Sequence, residues 1–149
     1  MSAAEPYPPY AVTPPHAAPA RGPATILLVE DDRAIRRYLQ VTLERAGFRV
    51  VVASDGLEAM KAALSAPVDA VVTDAIMPHL DGHALCRFLR RHPQLKGLPV
   101  VLLSGSEQSA PTVSTAERAD AYLTKPVRPE ELAGCLTTLL ERDAESGIL

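Results

Sequence analysis

The chain has 149 residues, of which 47% are apolar, and its formal net charge is −3. This length fits one globular domain, and the small net charge excludes a strong basic field for nucleic acid and a polybasic surface for membranes. No secretion signal is readable, and no apolar run approaches the roughly 18 residues of a membrane span. We therefore expect a cytoplasmic protein without membrane insertion.

Residues 1–23 differ in composition from the rest of the chain. They contain seven of the fourteen prolines and few large aliphatic side chains, so they bury too little apolar area to offset the entropy lost on ordering. We expect a disordered Pro/Ala-rich leader at 1–23, a folded domain at 24–142 and a C-terminal tail at 143–149.

From residue 25 onward, short apolar segments alternate with segments of helical period. The apolar segments are TILLVE, FRVVVAS, VDAVVT, LPVVLLS and DAYLT. Several of them are continuous rather than alternating, as in strands buried on both faces of a parallel sheet. Five βα units with right-handed crossovers predict an α/β fold with a doubly wound parallel sheet and helices on both faces.

Three of the predicted helices carry an apolar stripe that should pack on the sheet. The first contains Ile35, Leu39 and Leu43; the third contains Leu85, Phe88 and Leu89; the last contains Leu132, Leu136, Leu139 and Leu140. The arginine pairs Arg36-Arg37 and Arg90-Arg91 have no aromatic platform beside them, so we expect solvated helix faces rather than a nucleic-acid site.

The segment between strands four and five predicts a short, weakly held helix. Proline suits a first helical turn, so the helix should run from about Pro111 to Arg118, and Val113 is its one large apolar side chain. Such an element is easily reorganised, and its amides should exchange quickly in the resting protein.

The two cysteines have no metal-ligand spacing with each other or with the histidines. Cys86 lies on the helix after strand three and Cys135 on the last helix. In a doubly wound sheet these helices cover opposite faces, so we expect no intramolecular disulfide.

Reactive side chains stand where the strands end, which is where ligands bind in open α/β sheets. They are Glu30, Asp31 and Asp32 after strand one, Asp74 at strand three, Ser104 at strand four and Lys125 after strand five. Converging carboxylates repel one another, and a bound cation relieves that repulsion. Hard oxygen ligands from few residues favour Mg²⁺.

Each of these residues also has a purely structural interpretation. Asp32 is well placed as an N-cap, Asp74 alone would more often form a turn, and Lys125 alone would be a solvated lysine. Three consecutive acids are more than one cap needs. The coincidence of all of them at one edge of the sheet favours a functional site.

The segments ILLVEDD, VVTDAIMPHLDG, VVLLSG and YLTKP resemble the motifs of response-regulator receiver domains, in order and near the usual spacing, over about 24–142. The resemblance implies a flavodoxin-like fold with strand order 2-1-3-4-5. It also implies a stand-alone receiver whose Asp74 accepts a phosphoryl group from a sensor histidine kinase or phosphotransfer protein.

The resemblance implies further roles. Asp31 would ligate Mg²⁺ directly, Glu30 would act through water, and the Ile76 carbonyl would be another ligand. Lys125, before a cis peptide to Pro126, would pair with the phosphoryl oxygens. Ser104 would turn toward the phosphoryl group and Tyr122 would follow inward, unless Tyr122 is simply a half-buried aromatic. Arg118 stands where the family usually has glycine.

Two other functions compete with this interpretation. A haloacid-dehalogenase-type phosphatase needs a carboxylate two residues after the nucleophile, where this chain has Ile76. A binding module of the same fold would take no phosphoryl group. We expect no turnover of a separate substrate, no direct nucleic-acid contact, and an output through a downstream protein target or an onward relay.

Overall fold

The computed structural model describes residues 22–105 and 118–148. Most of the expected leader, and the expected helix at 111–118 except Arg118, lie outside the described residues. The strands are β1 (Thr25–Val29), β2 (Arg49–Ala53), β3 (Ala70–Asp74), β4 (Val100–Ser104) and β5 (Ala121–Thr124). The helices in the described part are α1 (Arg33–Arg45), α2 (Gly56–Ser65), α3 (Gly82–Arg91) and α4 (Pro129–Ile148).

The five strands form one parallel sheet in the order β2-β1-β3-β4-β5. The predicted doubly wound fold and its strand order are therefore confirmed. The order reverses between β1 and β3, which places a crevice at the carboxyl ends of these two strands. Among the residues that the structure describes, no helix is long and apolar enough to span a membrane.

Two apolar clusters cover the two faces of the sheet, because alternate residues of each buried strand point to opposite sides. Leu27, Val71 and Leu102 face the side of α2 and α3, together with Cys86. The other face carries a cluster that includes residues of α1 and α4, and Cys135 packs against it. The prediction that a sheet separates the two thiols is confirmed.

Aspartate N-caps begin three of the helices. The carboxylates of Asp32, Asp55 and Asp81 accept hydrogen bonds from the backbone N–H groups of Ile35, Glu58 and Ala84, at 2.9, 2.8 and 2.8 Å. Each bond satisfies an amide that the helix itself leaves unpaired. The structural role considered for Asp32 is thus confirmed.

Two expectations about the helices are wrong. Ile35 was expected inward but is 40% exposed, because it lines an open groove together with Leu39 and Val127. The segment after Arg142 was expected to be a tail, yet α4 continues to Ile148. Its first residues beyond Arg142 include alanine and glutamate, which are good helix formers, and no proline ends the helix.

Candidate functional site

The site lies at the crevice between the carboxyl ends of β1 and β3. Asp74 is the last residue of β3, and Glu30 follows β1 directly. The backbone of Gly82 packs on this strand end: a Cβ built there would lie 2.2 Å from the Asp74 carbonyl oxygen. Glycine at position 82 therefore allows the first turn of α3 to sit against the Asp74 backbone.

Lys125 joins the two acids. Its Nζ donates a hydrogen bond to Asp74 Oδ2 at 2.8 Å and lies 3.6 Å from Glu30 Oε1. Burial alone lowers the pKa of Lys125, but the hydrogen bond to Asp74 and the charges of both acids outweigh burial and raise that pKa above its ordinary value. Lys125 therefore stays charged at neutral pH and supplies positive charge at the Asp74 carboxylate.

Glu30 is a buried acid with incomplete hydrogen bonding. It is 1% exposed, and among the described residues its Oε1 has no hydrogen-bond partner. Burial raises the pKa of Glu30, the N–H of Asp32 bonded to Oε2 lowers it, and the charge of Asp74 raises it again, with a net rise. A buried oxygen without a partner costs free energy unless something else binds it.

The three acids expected to hold a metal lie together. Carboxylate oxygens of Glu30, Asp31 and Asp74 are within 4.8 Å of one another, with Asp31 exposed and the other two buried. The donor set consists of hard oxygens with one side open to water, which suits Mg²⁺ because this ion keeps several of its waters. Glu30 Oε1 lies 3.6 Å from the Lys125 ammonium but accepts no hydrogen bond from the described residues, and this is a second observation that fits a cation here.

The remaining predicted site residues border the same edge. Ser104 ends β4, and its carbonyl accepts the backbone N–H of Lys125 at 2.8 Å. The expected cis peptide between Lys125 and Pro126 is present. Ile76 follows Asp74 by two residues and is 58% exposed; the ligand role of its carbonyl stays a prediction.

Tyr122 is oriented away from this edge. Its side chain is half-buried against the α2–α3 face of the sheet, and its hydroxyl accepts the Ala119 N–H at 3.2 Å. Ala119 precedes β5, at the amino edge of the sheet, whereas Ser104 lies at the carboxyl edge. The structure thus brings together the acids, Lys125 and Ser104, and keeps the Tyr122 hydroxyl apart from them.

Two arginines that we expected on solvated faces make structural contacts instead. Arg36 Nη1 donates to the carbonyl of Glu30 at 2.8 Å, which fixes the backbone that carries Glu30 and Asp31. The Arg90 side chain is 9% exposed and pairs with Asp120. A backbone carbonyl acceptor leaves no mark in a sequence, so the pattern alone could not reveal these contacts.

An apolar groove of about 400 Å³ adjoins the site. It lies between α1 and the residues after β5, and Ile35, Tyr38, Val127 and the Lys125–Pro126 pair contribute to its lining. Ile35 is 40% and Tyr38 52% exposed. The groove therefore presents apolar surface to solvent directly beside Lys125.

Comparisons with known proteins agree with this geometry. The family model described as the response regulator receiver domain matches residues 26–137. The chain is 39% identical over 119 residues to the transcriptional regulatory protein GltR of Pseudomonas aeruginosa, covering 79% of this chain and 49% of that protein. It is 37% identical over 118 residues to the alkaline phosphatase synthesis transcriptional regulatory protein PhoP of Bacillus subtilis, with coverages of 78% and 48%.

Solved structures are similar over nearly their whole length. The chemotaxis response regulator CheY4 of Vibrio cholerae is 33% identical with a TM-score of 0.71, over 78% of this chain and 98% of that one. A putative response regulator of Chloroflexus aurantiacus is 33% identical with a TM-score of 0.72, over 79% and 98%. By contrast, the chain spans about half the length of the curated relatives named above.

Proposed function

Because the chain belongs to the response regulator receiver domain family, we propose that Asp74 accepts a phosphoryl group from a sensor histidine kinase or phosphotransfer protein. The reaction depends on Mg²⁺ and takes place in the cytoplasm. The phosphorylated protein signals by contact with a downstream protein or passes the group onward. The chain turns over no separate substrate.

The observation that carries this proposal is the pairing of Asp74 with Lys125. For phosphoryl transfer a protein must supply a nucleophile and positive charge around the oxygens of the transferring group, and little else. Asp74 is a carboxylate held at a strand end, 7% exposed, with Lys125 Nζ at 2.8 Å. The ammonium can stay with the phosphoryl oxygens as they arrive.

Transfer of the phosphoryl group to Asp74 needs no reactant other than the phosphodonor. A carboxylate oxygen of Asp74 attacks phosphorus, the new P–O bond forms, and the P–N bond of the donor phosphohistidine breaks. The electron pair of that bond stays on the imidazole nitrogen. With acetyl phosphate as donor, the bond from phosphorus to the acetyl oxygen breaks instead and acetate leaves.

Glu30, Asp31 and Asp74 would hold the metal ion. When bound, Mg²⁺ supplies positive charge that neutralises the developing charge of the transferring group. Arg36 supports this end of the crevice by holding the Glu30 carbonyl, and Glu30 itself stays anchored through the N–H of Asp32. The chain's own contribution is therefore a set of acids positioned before any ligand arrives.

Labelling with acetyl phosphate and Mg²⁺ tests the proposal. Wild type should gain one phosphoryl group by mass spectrometry, and Asp74→Asn should gain none while remaining folded, because the change is nearly isosteric. The matched control is Asp81→Asn, an exposed acid in the same loop whose N-cap role asparagine can keep. Labelling of Asp74→Asn at the wild-type level would refute the assignment.

The same assay separates the competing functions. A receiver forms an adduct that persists on the protein, a phosphatase releases inorganic phosphate with repeated turnover, and a binding module forms no adduct. Ile76 occupies the position where a phosphatase of the haloacid-dehalogenase type needs its general acid, and its side chain cannot donate a proton. We therefore expect a stoichiometric adduct and no sustained phosphate release.

We assign the groove beside Lys125 to the phosphodonor protein. A donor that delivers its phosphohistidine to Asp74 must rest on the surface around the crevice, and Ile35 and Tyr38 offer exposed apolar contact there. Tyr38→Ala should slow transfer from the cognate kinase but leave labelling by acetyl phosphate unchanged. Leu57→Ala, an equally exposed apolar residue on α2, is the control; equal effects of both variants would refute the assignment.

A further inference from the structure

Arg90, at the end of α3, holds two separate stretches of backbone and one carboxylate. Its guanidinium donates to the carbonyls of Lys96 and Leu98 at 3.1 and 2.7 Å. It also donates to the carbonyl of Arg118 at 3.0 Å and to the Asp120 carboxylate at 2.6 Å. The Arg90 side chain is only 9% exposed, and the bond to Leu98 is partly buried, whereas the acceptors on Lys96, Arg118 and Asp120 lie at the surface.

The clamp positions the 118–120 segment, which leads into β5. Asp120 completes this arrangement, because its carboxylate also accepts the Val100 N–H at 2.8 Å and its own N–H donates to the Val100 carbonyl at 2.8 Å. Residues on both sides of Ala119 are therefore fixed to α3 or to β4. The Ala119 N–H is left with one acceptor described in the structure, the Tyr122 hydroxyl.

We propose that Arg90 is a positioning residue for the switch: by holding the 118–120 segment it presents the Ala119 N–H that keeps the Tyr122 hydroxyl at the amino edge of the sheet. This inference rests on the proposed phosphorylation of Asp74 and on movement of Tyr122 toward Ser104. Movement in that direction breaks the bond to Ala119, so the clamp stabilises the resting state.

Arg118 also stabilises the resting position of Tyr122. Its guanidinium carbon lies 6.0 Å from the centroid of the Tyr122 ring, within the range of a cation–π contact. Arg90 fixes the backbone of Arg118, so one arginine positions the other over the ring. A glycine at position 118 would provide no such contact. Tyr122 is therefore held in its resting position by a cation–π contact that the YLTKP segment itself does not predict.

The first test measures the resting protein and needs no ligand. In Arg90→Gln, the Ala119 amide should exchange faster by NMR, while core amides such as those of Leu28 and Leu102 keep their protection. An unchanged Ala119 exchange rate would show that the clamp does not present this amide. The result is independent of whether Asp74 is phosphorylated, so a failure of the proposed function would be recognised separately.

The second test measures coupling to the site. Arg90→Gln should tighten binding of beryllofluoride with Mg²⁺ by about threefold to tenfold, the amount that corresponds to one net hydrogen bond. In a Tyr122→Phe background, which lacks the hydroxyl, the same substitution should change the affinity by less than about twofold. Arg118→Gly should tighten binding by about twofold to fivefold through loss of the cation–π contact.

Two control variants distinguish a role of Arg90 in positioning the 118–120 segment from a general effect on folding. Arg87→Gln alters a neighbouring arginine of α3 and should change neither readout. Arg90→Lys keeps a charge beside Asp120 but cannot donate to all four acceptors, so it should shift binding in the same direction as Arg90→Gln. If both Arg90 variants leave the affinity unchanged, or shift it equally with and without the Tyr122 hydroxyl, the proposal is overturned.

Discussion

Removal of the Lys125 ammonium should destabilise the fold in a way that depends on pH. Lys125→Met keeps the aliphatic length of the side chain but leaves Glu30 and Asp74, which are 1% and 7% exposed, without their shared cation. The Nζ atom lies 2.8 Å from Asp74 Oδ2 and 3.6 Å from Glu30 Oε1. The variant therefore converts an ion triad into two neighbouring like charges.

The magnitude follows from these distances and from burial. At an effective dielectric constant of about 20, the two attractions correspond to about 6 and 5 kcal/mol before desolvation is subtracted. Removing one partner of a buried pair costs about 3–5 kcal/mol in practice. The Lys125 side chain is 29% exposed, so water replaces part of its effect, and we expect a loss of about 3 kcal/mol at pH 7.

The pH dependence follows from Glu30. Burial raises its pKa in the folded protein, and Lys125 is one of the groups that lower it, so in Lys125→Met the folded pKa rises further above the unfolded value. The folded state then holds a proton that the unfolded state has released, and stability falls as pH rises through this interval. Lowering the pH should restore up to about 1.4 kcal/mol per unit.

Urea unfolding in metal-free buffer at pH 7 and pH 5.5 measures this effect. The cost of Lys125→Met should be smaller at pH 5.5 by at least about 1 kcal/mol, and adding Glu30→Gln should recover much of the loss at pH 7. Lys61→Met, at an exposed lysine of α2, should cost less than about 0.5 kcal/mol at either pH. An equal cost at both pH values, with no recovery by Glu30→Gln, would refute the like-charge explanation.

Two further predictions concern the metal and the packing of the site. Asp31→Asn should lose at least half of the Mg²⁺-induced rise in melting temperature, whereas Asp32→Asn, at the neighbouring N-cap, should keep it; a full shift in Asp31→Asn would place the metal elsewhere. Gly82→Ala should cost roughly 2–3 kcal/mol in urea unfolding, because its Cβ would overlap the Asp74 carbonyl. Gly134→Ala, with open space around it, should instead stabilise α4 by about 0.5–1 kcal/mol, and a similar cost for both glycines would contradict this account.

The sheet could be predicted because its strands are short, continuous and apolar. In β1 the four residues ILLV, at 26–29, are all buried, and a strand covered on both faces favours a near-continuous apolar run. Strand order followed from the family motifs rather than from periodicity. The same motifs indicated which strand ends carry the acids and Lys125, and the structure places these side chains together.

The wrong expectations have a common physical cause. Helical periodicity shows which side of α1 is apolar, but it does not show which turns of that side are covered, so Ile35 was expected to pack inward although it lines an open groove. Arg90 was expected on a solvated helix face because no aromatic platform accompanies the arginine pair. Its actual partners are backbone carbonyls and an aspartate 30 residues away. Contacts of this kind depend on how the chain returns to the same edge of the sheet, which local sequence does not encode.

The contacts of Asp74 bear on the choice between a structural and a reactive carboxylate, which the sequence leaves open. The N-cap aspartates of α1, α2 and α3 accept amide hydrogen bonds of 2.8–2.9 Å, and capping explains their positions. Within the described residues, the amide bond that the Asp74 carboxylate accepts is a long one of 3.4 Å from the Ile76 N–H, while its shorter bond, 2.8 Å, comes from the Lys125 ammonium. A carboxylate whose main partner is an ammonium rather than a helix amide is poorly explained as a cap. Its burial beside two further acids is then costly for the fold alone, and the phosphoacceptor role that we propose for Asp74 offers a reason for that cost.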